Sequence, residues 1–263
     1  MKVLNHNLHS TEFYCFIQVA AAMLIRYSLD RWLFGLDNTG DVTKSLNRKH
    51  IVQQAKENLG SNIRLVTADG SLDCQLSPSE QEMIVYPLIL AEVHIALSLL
   101  AKSGVFVLKM FTLFETQTIS LLYLLNSLFK HVDIHKPVTS KPGNSEVYVV
   151  CKCLLAEVSD NILSLIQSAL DTGGPLMSLS EIPRSFLQQV RTAAAKFKDM
   201  QEQTITENMS TYGTQVTFIS NEKYAREYLS RMRLKPIPAD QSVVVMSYPR
   251  TKPVKVGDNF LTA

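Results

Sequence analysis

At 263 residues with 46% hydrophobic side chains, the chain is long enough to bury one sizeable core and carry an appended piece. Its 26 basic and 24 acidic residues leave a formal charge of +2, which neither demands nor excludes nucleic acid and confines any RNA contact to local patches. Cys15, Cys74, Cys151 and Cys153 form no C-x-x-C pair, which speaks against a disulfide scaffold or zinc knuckle and for reduced intracellular thiols.

Residues 13–25 loosely resemble the apolar core of a secretory signal, but Gln18 interrupts them and no convincing cleavage site precedes Arg26. The expectation is instead a helix over 12–34 that packs by its apolar face and ends at Trp32 and Phe34. Residues 36–41 read as a turn rich in Asx and glycine chemistry. A polar helix over 42–59 follows, closed by Gly60. Residues 63–66 form a short apolar strand running into the sharp turn Thr67-Ala68-Asp69-Gly70-Ser71. Asp69 then stands just past a strand end, where a carboxylate either faces a ligand cleft or belongs to an ordinary Asp-Gly turn.

A long helix is predicted over 78–102, with Ser77 or Ser79 as N-cap and Glu80 and Glu82 favourably placed in its first turn. Its apolar residues cover more than one stripe, so it is expected to be well buried against a sheet. Gly104 is read as its stop. The run Gly104-Val-Phe-Val-Leu-Lys-Met-Phe111 is a buried strand with Lys109 near its carboxyl end, either facing a ligand or snorkelling outward. Residues 115–129 make a leucine-rich helix, and the alternation of strand and helix implies a wound α/β sheet.

Residues 131–136 alternate at period two, 137–145 form a loop, and 146–153 are again a strand, on which Cys151 and Cys153 would share a face. The two strands should pair as an antiparallel hairpin at the sheet edge. Their loop carries Lys136, Ser140, Lys141, Asn144 and Ser145, which are suitable donors for phosphate or ribose oxygens and equally ordinary as solvated surface. Beyond Cys153 helices are expected over 155–170, 183–209 and 222–233, a strand over 243–246, and a frayed end.

Asp69, Lys109 and Glu146 all fall at strand margins. The segments that contain them, Val66 to Gln75, Phe106 to Thr112 and Thr139 to Cys151, together with Phe34-Gly35-Leu36-Asp37-Asn38-Thr39-Gly40-Asp41, resemble FtsJ-type RNA 2′-O-methyltransferases. Within them the similarity is to the cap-specific branch that acts on the second transcribed nucleotide of mRNA. It is dense from Trp32 to Cys151 and thinner afterwards.

The resemblance implies a Rossmann-like methyltransferase sheet over 1–153, incomplete at its N-terminal half, with an edge hairpin and a mainly helical extension over 154–263. It implies S-adenosylmethionine as methyl donor and capped mRNA as partner, with no membrane or metal, in cytoplasm and nucleus. Three members of the family's Lys-Asp-Lys-Glu tetrad match: Asp69 beside cofactor and reacting centre, Lys109 as base for the ribose 2′-hydroxyl, and Glu146 as the closing acid. Lys136, Ser140, Lys141, Asn144 and Ser145 would meet RNA. The tetrad's first lysine and the family's glycine-bearing cofactor loop find no counterpart, and residues 10–30 depart from the family. The expectation is therefore a truncated product with impaired cofactor binding, and the competing reading is a catalytically silent RNA-binding remnant.

Overall fold

The computed structural model describes residues 2–3, 29–137, 140, 143–212, 222–233 and 235, in two units that span 1–213 and 214–263. The first unit contains β1 (Lys2–Val3), α1 (Ser45–Leu59), β2 (Ile63–Ala68), α2 (Gln81–Leu99), β3 (Leu100–Met110), α3 (Thr116–Leu128), β4 (Phe129–His135), β5 (Val147–Leu154), α4 (Asp160–Thr172) and α5 (Arg184–Thr211). In the second unit the described residues form α6 (Glu222–Arg231).

The strands lie in the order β1-β2-β3-β5-β4. Strands β1, β2 and β3 run parallel, and β5 is antiparallel to both β3 and β4. This is the wound α/β sheet with an edge hairpin that the sequence implies. The hairpin's second strand lies inside, against β3, and its first strand forms the edge.

The core is built on β3 and α2. Val105, Phe106, Val107 and Leu108 favour an extended chain because β-branched and aromatic side chains fit a pleated surface, and Phe106 and Leu108 are fully buried. The stretch Pro78–Leu99 is long and apolar enough by composition to cross a membrane, yet 72% of its most apolar window is buried within the fold. Its apolar residues occupy all sides of the helix, as expected for an element packed between a sheet and other helices. Helix α5 closes over α3, where the rings of Tyr123 and Phe186 meet edge to face at 5.1 Å.

Several boundaries differ from expectation. Of the helix predicted over 12–34, residues 12–28 lie outside the described residues. The remainder is a single 3-10 turn at Leu29–Arg31 that buries no side chain and so has no apolar face to extend it. The polar helix starts at Ser45 rather than 42, because Asp37, Thr39 and Asp41 hold the preceding turn, Asp41 Oδ1 accepting from Thr43 N at 3.0 Å.

Gly104 does not stop α2. The helix ends at Leu99 and the strand begins at once, with Leu100 paired to Ile63 before the register shifts. Gly104 is needed inside β3 because a Cβ there would meet the Leu100 side chain and stand 2.8 Å from the Ala101 carbonyl oxygen. Cys151 and Cys153 do not share a face: Cys153 adopts φ +66°, which breaks the alternation, so Cys151 is buried and Cys153 exposed. The expected strand over 243–246, the frayed end and Cys15 lie outside the described residues.

Candidate active site

Asp69 follows the last residue of β2, and Lys109 is the penultimate residue of the adjacent parallel strand β3. Both therefore stand at the carboxyl ends of their strands, where open α/β sheets bind ligands. The Lys109 Nζ donates to the Asp69 carbonyl oxygen at 3.0 Å and makes an ion pair with Asp69 Oδ1 at 2.9 Å. The lysine side chain is 11% exposed and the aspartate 35%, so the pair is covered from below and open on the carboxylate side. Of the two readings of Lys109, snorkelling into solvent is the one this geometry removes.

Strand β5 supplies the third part. Its Tyr148 lies opposite Lys109 in the β3–β5 register, and the Tyr148 hydroxyl donates to Asp69 Oδ1 at 3.2 Å. Burial pushes the Tyr148 phenol up, and the negative charges of Asp69 and Glu146 push it further. The hydroxyl is thus a protonated donor between the two acids at neutral pH. Glu146, two residues before Tyr148, lies close enough to that hydroxyl for its charge to act on it.

The loop residues form a cluster of their own. Lys136 Nζ donates to Asn144 O at 2.9 Å, Asn144 Oδ1 at 2.7 Å and Glu146 O at 2.8 Å. Ser140 Oγ donates to Asn144 Oδ1 at 3.1 Å, and Ser145 Oγ to Gln81 Oε1 at 2.8 Å. The Lys136 ammonium is engaged in closing the loop onto the start of β5, and burial lowers its pKa against the pull of Glu146. Lys141 lies outside the described residues, as do residues 4–28, where the expected break in the cofactor side falls.

Three contributors were not anticipated as site residues. Tyr148 had a usable signal, since it shares a strand face with Glu146. Glu82 was read only as a first-turn acid. It is buried, and its carboxylate accepts from Thr112 Oγ1 at 2.6 Å and from the amides of Phe114 at 3.0 Å and Glu115 at 2.9 Å. It thereby anchors the turn from β3 into α3, at a helix N-terminus that favours an anion. Glu92 is also buried and accepts from Gly70 N at 2.9 Å; burial raises its pKa to about 8. The signal for both is a carboxylate in an otherwise apolar helix, which only a partner at the site makes tolerable.

A buried lysine paired with a partly exposed aspartate stands here at the carboxyl edge of a wound sheet, the edge at which α/β enzymes bind their ligands. The chain belongs to the FtsJ-like methyltransferase family, whose model matches residues 17–154. It is 38% identical over 216 residues to the cap-specific mRNA (nucleoside-2'-O-)-methyltransferase 2 of Drosophila melanogaster, covering 80% of this chain and 30% of that protein. The protein of the same name from Danio rerio is 44% identical over 196 residues, covering 71% and 25%. A cap-specific mRNA (nucleoside-2'-O-)-methyltransferase 1 from Dictyostelium discoideum is 35% identical over 153 residues, covering 57% and 20%. The chain spans under a third of the length of these curated relatives.

Proposed function

We propose that this chain carries the acceptor side of a methyltransferase that modifies the ribose 2′-oxygen of capped mRNA, at the second transcribed nucleotide. The observation that carries the reading is the Lys109 amine held on both the carboxylate and the carbonyl of Asp69, with Tyr148 and Glu146 beside them. The names of the relatives supply the capped mRNA and the 2′-oxygen. The choice of the second nucleotide rests on the greater identity and coverage for the relatives numbered 2 than for those numbered 1.

FtsJ-like methyltransferases depend on S-adenosylmethionine, which when bound supplies an electrophilic methyl group carried on a sulfonium. Among the described residues Asp69 suits such a donor: its carboxylate is partly exposed at the strand edge and offsets a positive charge. Lys109 then orients the ribose 2′-oxygen from the covered side. With its amine already in an ion pair, Lys109 acts in this reading as an ammonium that aligns the oxygen rather than as the base that takes its proton. Tyr148 holds the Asp69 carboxylate, and Glu146 closes the far side. Lys136, Ser140, Asn144 and Ser145 shape the loop over which the RNA backbone passes, and Lys141 extends that loop's positive charge.

The test is methyl transfer from labelled S-adenosylmethionine to capped RNA whose first and second nucleotides both carry a free 2′-hydroxyl, with the product position mapped by mass spectrometry. The reading expects label on the second ribose. Label on the first ribose overturns the positional choice, and salt-sensitive RNA binding without transfer favours the silent RNA-binding reading. A basic limb in the pH–rate profile that disappears in Lys109→Arg would contradict the orienting role and favour the base.

A further inference from the structure

Both acids of helix α2 are buried, but they are satisfied unequally. Glu82 accepts from three groups at the start of α3. Glu92 is 3% exposed, receives Gly70 N on Oε1 at 2.9 Å, and leaves Oε2 buried with no hydrogen-bond partner. A carboxyl placed so deeply for one hydrogen bond costs the fold stability, so the bond it makes requires a reason.

Gly70 N–H and Asp69 C=O are the two ends of one peptide group. The carbonyl end accepts from Lys109 Nζ at 3.0 Å, and the amide end donates to Glu92 Oε1 at 2.9 Å. One peptide plane is therefore held between a strand-end lysine and a buried acid, and rotating it would break both bonds. A donor on the oxygen and an acceptor on the N–H polarise a peptide in the same sense, so each bond strengthens the other. Residue 70 has no room for a side chain: a Cβ would stand 2.6 Å from Glu92 Oε1 and 3.0 Å from Leu88 Cδ2.

We propose that Glu92 is a positioning residue for Lys109, clamping the Asp69–Gly70 peptide so that the Asp69 carbonyl fixes the amine at the reaction centre. The catalytic half of this statement rests on the function proposed above; the clamp itself does not. Asp69 and Lys109 are the charged groups that act on Glu92 across this peptide. Burial keeps Glu92 protonated until about pH 8, against the Gly70 bond and the Lys109 charge. At neutral pH it thus grips Gly70 through an uncharged oxygen, and a glutamine oxygen can replace it.

The experiment is amide hydrogen exchange at Gly70, followed by NMR in the full chain, alongside steady-state methyl transfer. Glu92→Leu is expected to speed Gly70 exchange by about tenfold or more while Glu92→Gln stays close to the parent. In transfer, Glu92→Leu is expected to lower kcat about tenfold with KM for RNA nearly unchanged, and Glu92→Gln to restore most of it. If Glu92→Leu does not fold, Gly70→Ala tests the clamp from its other end and should give the same kcat defect, with little further loss when combined with Glu92→Gln. Unchanged Gly70 exchange in a folded Glu92→Leu chain overturns the clamp, and so does an unchanged kcat in either variant when the parent is active. A parent chain with no transfer overturns the proposed function instead, and Gly70 exchange still decides the clamp.

Discussion

Two side chains of α2, the buried Glu92 and the half-buried His94, have pKa values shifted in opposite directions, and their signs set how stability depends on pH. Glu92 has its pKa raised by burial from 4.5 to about 8, so the folded chain keeps a proton that the unfolded chain releases. Its contribution is complete below pH 4.5 and is lost as pH rises toward 8. His94 has its pKa lowered from 6.5 to about 4 by burial, assisted by Arg48 and Lys49, so its contribution is present above pH 6.5 and is lost as pH falls toward 4. The two oppose each other between pH 4.5 and 6.5, and Glu92 acts without His94 from 6.5 to 8. Urea unfolding across that upper window should show the parent losing roughly 1 to 2 kcal/mol and Glu92→Gln losing markedly less. Equal slopes in the two chains would mean that Glu92 is not the group responsible.

At the scale of elements, the turn between β3 and α3 depends on one carboxylate supplied by α2. Removing it in Glu82→Ala leaves the amides of Phe114 and Glu115 and the Thr112 hydroxyl without their acceptor. The expected cost is about 2 to 4 kcal/mol, read as a lower urea midpoint with an unchanged slope. A loss within about 0.5 kcal/mol would show that water replaces the carboxylate freely. Neither this tie nor the Glu92 clamp follows from pattern alone, because helical periodicity says which face is buried but not what a buried acid meets. The same limit explains Gly104: in sequence it punctuates a helix, whereas in space it permits a close approach inside a strand. What was legible is the element order, the buried character of α2, the antiparallel pairing of β4 with β5, and the strand-end positions of Asp69 and Lys109, since each rests on periodicity or turn chemistry. Tyr148 lay one alternation beyond Glu146 and its hydroxyl needed the β3–β5 register to find its partner.

For the molecule as a whole, near-neutral charge limits how RNA is attracted. With 26 basic against 24 acidic residues, long-range steering is weak and affinity depends on short contacts. Capped RNA binding followed by fluorescence anisotropy should therefore weaken with salt at a log–log slope shallower than about −3, fewer phosphates than a basic RNA-coating surface would engage. A steep slope would point to a charged surface outside the hairpin loop. In the proposed reading the acceptor side of the site is borne by β2, β3 and β5, within a chain that covers under a third of its relatives. The central claim is that the Lys109–Asp69 pair is the reaction centre, and the most direct measurement is methyl transfer to capped RNA by the parent chain and by Lys109→Ala under identical conditions. The account predicts measurable transfer by the parent and a loss of about a thousandfold or more in the variant. Transfer by Lys109→Ala at the parent's rate would contradict it.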